Sequence, residues 1–244
     1  MDSNSWMHRV SAKRFIVCCK GEFGWEDLSR DVIMDVGCGV RGYGGQMILE
    51  LFPAVGTIIG ISKDQEEVDN LKETTKKIEF AVADIEKRET LQNYEGWITK
   101  VISIHVFHQI MEKEEAFRNI PLVEARRRSC SFVRYQVGNI RMVDGNAQKS
   151  QMERCLSGFQ EVQCLGEERE LAYPSDKDCK EALYKMYGKS FNISSELLDE
   201  FKEESFQVLL RLSKRNEDGK PCYRFTEMSF LFIKPTDGFA SETS

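Results

Sequence analysis

The sequence contains no Cys-x-x-Cys pair, no apolar run of bilayer-spanning length and no excess of positive charge. Each absence removes a class of function. Eight cysteines are present, at 18, 19, 38, 130, 155, 164, 179 and 222, but their irregular spacing does not suit a structural zinc site. No metal is expected. The first residues, 1 to 14, are polar and mixed, and 15 to 19 are too short for the apolar heart of a secretory signal. The expectation is a cytoplasmic chain with reduced thiols and no membrane partner. With 34 Lys and Arg against 40 Asp and Glu, the net charge is −6. An acidic chain repels phosphate backbones, so nucleic acid is not an expected partner. The cluster Arg126-Arg127-Arg128 reads as a solvated helix end. The Gly-Lys-Ser/Thr ending of a phosphate-binding loop is also missing, which argues against an ATPase.

What is present is a chain of 244 residues, 41% of them apolar, enough for one medium α/β domain. Residues 1–30 read as a helical lead-in. Val32-Ile33-Met34-Asp35-Val36 is a short apolar run that closes on Gly37-Cys38-Gly39, a strand followed by a glycine turn. Further strands are expected near 57–61, 78–83 and 98–107, with helices over 46–52, 64–76 and 113–120. This alternation predicts an α/β fold with a doubly wound, mostly parallel sheet. The strands are continuously apolar, so both faces should be covered. In the second half, a fifth strand is expected near 131–137, a helix over 152–159, a short strand at 162–165, and helices over 176–187 and 195–212. Residues 223–233 should form an antiparallel C-terminal edge strand. The reading is a single domain: cofactor-binding half 31–121, substrate-side half 122–236, polar tail 237–244.

The glycine turn is the chemically informative element. Glycines there let a ligand lie against the main chain, and the following helix points amide groups into the same space. Asp35 can hold an amino group or order the loop. Gly37-x-Gly39-x-x-Gly42 also has the dinucleotide spacing, so a nicotinamide enzyme is a competitor. Such an enzyme needs an acid at the end of the second strand, where Ser62 stands. His105 and His108 lie just beyond the fourth strand, where substrates bind; His105 reads equally well as structural, and His108 is the better substrate contact. Trp6, Phe107 and Tyr135 read as core aromatics before pocket walls.

Asp35-Val36-Gly37-Cys38-Gly39 resembles the first motif of the class I S-adenosylmethionine-dependent methyltransferases. Val82-Ala83-Asp84-Ile85-Glu86 resembles their third-strand acidic motif, and 97–110 resembles their fourth strand and loop. Ala172-Tyr173-Pro174-Ser175-Asp176 and Asp218-Gly219-Lys220-Pro221-Cys222 are similar to segments of the juvenile hormone acid methyltransferase-like family of arthropods. The resemblance implies S-adenosyl-L-methionine as cofactor and O-methylation of a small carboxylic acid, of isoprenoid type. It implies a cofactor site at Asp35, Gly37, Cys38, Gly39, Ser62, Asp84, Ile85 and Ile104. It places His8 and Gln109 at the substrate carboxylate, beside His108, the contact read from its position after the fourth strand. No general base is implied, because a carboxylate is already ionised at neutral pH.

The chain departs from the family's pattern in four places. Arg41 replaces a third glycine and would crowd the loop unless Gly42 lets it shift. Ser62 replaces the ribose-binding acid, with Asp64 two residues on to compensate. His8 and Gln109 replace a Gln and a Trp. The passage from Arg126-Arg127-Arg128-Ser129 to Lys149-Ser150-Gln151-Met152 is short, which implies a reduced substrate cap. These departures keep open a second reading, a catalytically impaired relative that binds a small molecule without turnover.

Overall fold

A computed structural model describes residues 3–73, 75–107, 109–123, 130–138, 159–188, 191 and 193–233. The expected helix at 152–159, His108, and the passages 126–129 and 149–152 lie outside the described residues, Phe159 excepted. Strands β1 (Val32–Val36), β2 (Thr57–Ser62), β3 (Glu79–Val82), β4 (Lys100–Ile104), β5 (Cys130–Gly138), β6 (Gln160–Ala172) and β7 (Cys222–Ile233) form one sheet in the order 3-2-1-4-5-7-6. The first five are parallel, β1 pairing with both β2 and β4. The chain leaves β1 outward through β2 to β3 and then returns to the other side of β1 at β4. The β1–β4 boundary is therefore the switch point, and its carboxyl end is where such sheets bind ligands.

The helices are α1 (Ser3–Phe23), α2 (Tyr43–Leu51), α3 (Gln65–Lys72), α4 (Lys113–Val123), α5 (Asp176–Tyr187) and α6 (Leu198–Ser213). Strand side chains alternate between faces, and the core divides accordingly. Met34 and Val36 of β1 join Val101, Phe117 of α4 and Phe230 and Phe232 of β7 on one face. Ile33 joins Phe15 and Ile16 of α1, Met47 and Ile48 of α2, and Val68 and Leu71 of α3 on the other. Both faces are buried, as the continuous apolar strands predicted. A third cluster holds α5 and α6 against the far ends of β6 and β7, through Leu183, Phe206, Leu209 and Phe225.

The C-terminal strand is antiparallel, as expected, but it is not the edge. β7 lies between β5 and β6, pairing antiparallel with each. Its second half, Phe230-Leu231-Phe232-Ile233, is apolar and buried on both faces, the pattern of a strand inside the sheet under two covering layers. Among the described residues the edge falls to β6, a strand of 13 residues where only a short one was expected. Its exposed Glu167, Glu168 and Glu170 concealed the strand in the sequence; on an edge, such charges discourage pairing with other chains.

Candidate active site

A cavity of about 590 Å³ opens at the carboxyl ends of β1 to β4. Asp35, Gly37, Cys38, Gly39, Ser62, Asp84, Ile85, Ile104, His8 and Gln109 all line it. Ten residues read from the sequence thus converge on one crevice. Ile85 lines it while belonging to the core, and its carbonyl accepts from Asn119 Nδ2 at 2.8 Å.

Asp35 orders the loop. Its Oδ2 accepts from the Gly45 amide at 2.9 Å, in the first turn of α2. Gly44 is required there, since a Cβ would stand 2.5 Å from the same carboxylate. Asp35 is only 2% exposed, and burial pushes its pKa up to about 6 against the Gly45 bond, which lowers it. The turn itself is tied to β2, because the Gly37 and Cys38 amides both donate to the Ile61 carbonyl, at 2.8 and 3.1 Å. Burial, with the charges of Asp35 and Glu67, holds the Cys38 thiol far above its ordinary range. Cys38 is buried, and its thiol lacks the lowered pKa that marks a reactive cysteine.

Arg41 does not crowd the loop. The left-handed conformation that a third glycine would adopt belongs to Gly42, at φ 57°, which caps α2 and packs against Leu71 and Phe80. Arg41 is exposed at the cavity rim, its carbonyl accepting from Gln46 Nε2. Arg41→Gly is therefore expected to change affinity for S-adenosylhomocysteine by less than about threefold in calorimetric titration, since neither burial nor backbone strain changes. A tenfold gain would show that the side chain does obstruct the site.

Asp84 is held by a turn after β3. Its Oδ1 accepts from the Glu86 amide at 3.0 Å, and its backbone is clamped on both sides by Thr90 Oγ1. Glu86 in turn caps the approach to α4, accepting from the Met111 and Glu112 amides.

One wall of the cavity is built around α1. His8 and Ala12 form part of the cavity wall. The helix is fixed by a buried network: Ser11 Oγ lies 2.8 Å from His105 Nε2 and donates to Glu227 Oε1 at 2.6 Å, and Arg169 Nε donates to Glu227 Oε2 at 3.0 Å. His105 adopts a left-handed backbone, φ 61°, at the end of β4, and the ring of His8 meets it edge-on with centroids 5.2 Å apart. His105 is thus both a cavity-lining residue and a strut between α1 and β7. Gln109 is exposed at the mouth. Phe107 is fully buried against Phe117, a core residue as read, while the side chains of Trp6 and Tyr135 lie outside the described residues.

Among the cavity residues that the sequence reading did not single out, Glu67 bears most directly on Ser62. Glu67, on α3, lines the crevice and accepts from Ser62 Oγ at 2.8 Å. Asp64, the acid expected to compensate for Ser62, lines the cavity and caps α3, its Oδ1 accepting from the Glu66 and Glu67 amides.

No family model matches the sequence. No curated protein matches it either. Solved structures do. The YcgJ protein from Bacillus subtilis superposes with a TM-score of 0.62 at 13% identity, over 97% of this chain and 99% of that one. The plantazolicin methyltransferase BamL, solved with a triazolic desmethylPZN analogue and SAH, gives 0.58 at 12% identity, over 95% and 86%. Phosphoethanolamine N-methyltransferase 2 from Haemonchus contortus, solved with phosphomonomethylethanolamine and S-adenosylhomocysteine, gives 0.55 at 14%, over 90% of this chain and 52% of that one. The chain has the Rossmann-like fold of the class I methyltransferases. Among the described residues, no helix is long and apolar enough to cross a membrane.

Proposed function

We propose that this chain is an S-adenosyl-L-methionine-dependent methyltransferase that O-methylates a small carboxylic acid, of isoprenoid type. The observation that carries the reading is the convergence of the glycine turn, Ser62, Asp84 and Ile104 on one cavity at the switch point of a methyltransferase fold. The cavity fits the cofactor on three counts. Its volume is that of a small-molecule site. Gly37 and Gly39 let a ligand lie against the main chain. Asp84 Oδ2 and Glu67 Oε1 make no hydrogen bond among the described residues and can accept from adenosyl groups.

The cofactor supplies a methyl group on a positively charged sulfur. The residues of the chain do the rest by positioning. His8 on α1 and Gln109 after β4 approach the cavity from opposite elements and carry N–H donors that can orient a carboxylate. A carboxylate is ionised at neutral pH, so the site needs alignment and exclusion of water more than a base. The Ser11–His105–Glu227 network keeps α1 against the cavity and so contributes to that alignment.

Calorimetric titration with S-adenosylhomocysteine tests the first half of the reading; saturable one-to-one binding is expected. Absence of binding up to about 1 mM, together with binding of a nicotinamide dinucleotide, overturns it. Transfer of a labelled methyl to a panel of small acids, farnesoid acids among them, tests the second half. Label found only on amines or phenols would reject the carboxylate.

A further inference from the structure

The cavity's β2 side carries a charge where the strand itself ends in a neutral residue. In doubly wound sheets an acid beside the second strand's carboxyl end accepts the ribose hydroxyls of a nucleotide-like ligand. Here that strand ends at Ser62, which is 6% exposed. Its single hydroxyl proton is committed to Glu67 Oε2, at 2.8 Å, and its oxygen already accepts from the Asp64 amide at 3.2 Å. Ser62 is therefore a holder of another group, not a donor to a ligand. Asp64 lines the cavity too, but it is exposed and its Oδ1 is held by the Glu66 and Glu67 amides as the α3 cap, whereas Glu67 is half-buried and held by Ser62.

Glu67 stands one helical turn beyond Asp64, half-buried, on the cavity wall. Oε1 makes no hydrogen bond among the described residues, and Oε2 retains a lone pair beyond the one used by Ser62. A carboxylate presented this way offers two acceptor oxygens to two vicinal donors, the pattern that a ribose diol matches. We propose that Glu67, oriented by Ser62, is the ribose-binding acid of this site, moved from the end of β2 onto α3. The proposal rests on the adenosyl-cofactor reading of the cavity.

The relocation has a consequence opposite in sign to simple repair of the strand-end residue. Ser62→Asp would set a second carboxylate within hydrogen-bonding distance of the first, and like charges that close repel. The single substitution should weaken binding, and only Ser62→Asp combined with Glu67→Gln should recover it.

The test is calorimetric titration with S-adenosylhomocysteine and its 2′-deoxy derivative. The full chain is expected to prefer the ribose form by about tenfold or more, as suits a charge-assisted hydrogen bond. Glu67→Gln should lose about tenfold for the ribose form and little for the deoxy form, so the preference collapses. Ser62→Asp should bind more weakly than the parent, and Ser62→Asp/Glu67→Gln more tightly than Ser62→Asp. An unchanged preference in Glu67→Gln, or a parent indifferent to the 2′-hydroxyl, overturns the assignment. The second of these needs no variant and stands even if a substituted chain folds poorly. A parent that binds neither compound removes the cofactor reading and this inference with it. Ribose-form binding that is strong in the parent and equal in Glu67→Gln removes this inference alone.

Discussion

Replacing Asp35 by Asn is expected to shift the stability difference between variant and parent by about 3 kcal/mol, in the variant's favour, as pH rises from 4 to 7. Asp35 is fully buried, and its pKa rises from 3.8 to about 6 on folding. A group whose pKa is raised in the folded state contributes its full stability below the unfolded value and loses it as pH climbs through the folded value. The window is therefore about 4 to 6, and about two pKa units correspond to about 3 kcal/mol. Asn keeps an oxygen for the Gly45 amide but never ionises, so it escapes that loss. Asp27, Glu50, Asp176, Glu181 and Glu203, whose pKa values are lowered, contribute with the opposite sign in both proteins and cancel in the difference. Any constant cost of the new, buried amide N–H groups cancels too, since only the change with pH is read. Urea unfolding of the two proteins at pH 4, 5, 6 and 7 measures it. A difference that stays flat across that range would mean that Asp35 is not ionised against a desolvation penalty. The chain retains this cost, on the proposed reading, because a negative charge in the cavity suits a positively charged ligand; the variant should bind S-adenosylmethionine more weakly while being relatively more stable at pH 7.

The parallel half of the fold was legible because its signals are local. Val32–Val36, Thr57–Ser62 and Lys100–Ile104 are short, mostly apolar stretches without the polar alternation of a half-exposed strand, and such stretches form strands buried on both faces. The glycine turn was legible for the same reason. The fate of Ser62 was not, because it depends on a competition between three carboxyl groups in one short stretch. Asp64, Glu66 and Glu67 are equally acidic on paper; which one is free depends on which one caps α3. A clue was present: with Asp64 as cap, Glu67 occupies the third helical position, whose side chain commonly turns back toward the helix start. Here it turns back to Ser62, since the Asp64 amide is already taken by the Ser62 hydroxyl. The position of β7 and the Ser11–His105–Glu227 network were beyond local reading altogether. Ser11 and Glu227 are 216 residues apart, and no spacing in the sequence reports a contact made only when the last strand enters the sheet beside β5.

Gly37→Ala is expected to lower affinity for S-adenosylhomocysteine by about a hundredfold, the largest single effect in the site. Gly37 has φ 68°, in the left-handed region, where a Cβ costs about 1–2 kcal/mol. A Cβ there would also stand 2.5 and 2.6 Å from the two γ carbons of Val106 and 2.9 Å from its Cβ. Val106 follows His105, whose own backbone is left-handed, so the loop after β4 has little freedom to yield. Overpacking of this kind costs about 1–3 kcal/mol. The turn must then move away from β4, and it takes with it the Gly37 and Cys38 amides that bind Ile61. Together these terms reach about 3 kcal/mol, which corresponds to about a hundredfold if the ligand-ready loop is what gives way. Gly39→Ala separates strain from collision. It has a similar φ of 60°, but its Cβ would meet only the Gly37 carbonyl oxygen at 4.0 Å, so it should cost about tenfold. Val106→Gly in the Gly37→Ala background removes the colliding atoms and should return the affinity to the Gly39→Ala level. Equal losses in Gly37→Ala and Gly39→Ala, with no recovery on changing Val106, would show that backbone strain alone sets the effect and that the close approach of the glycine turn to the β4 loop does not shape the site.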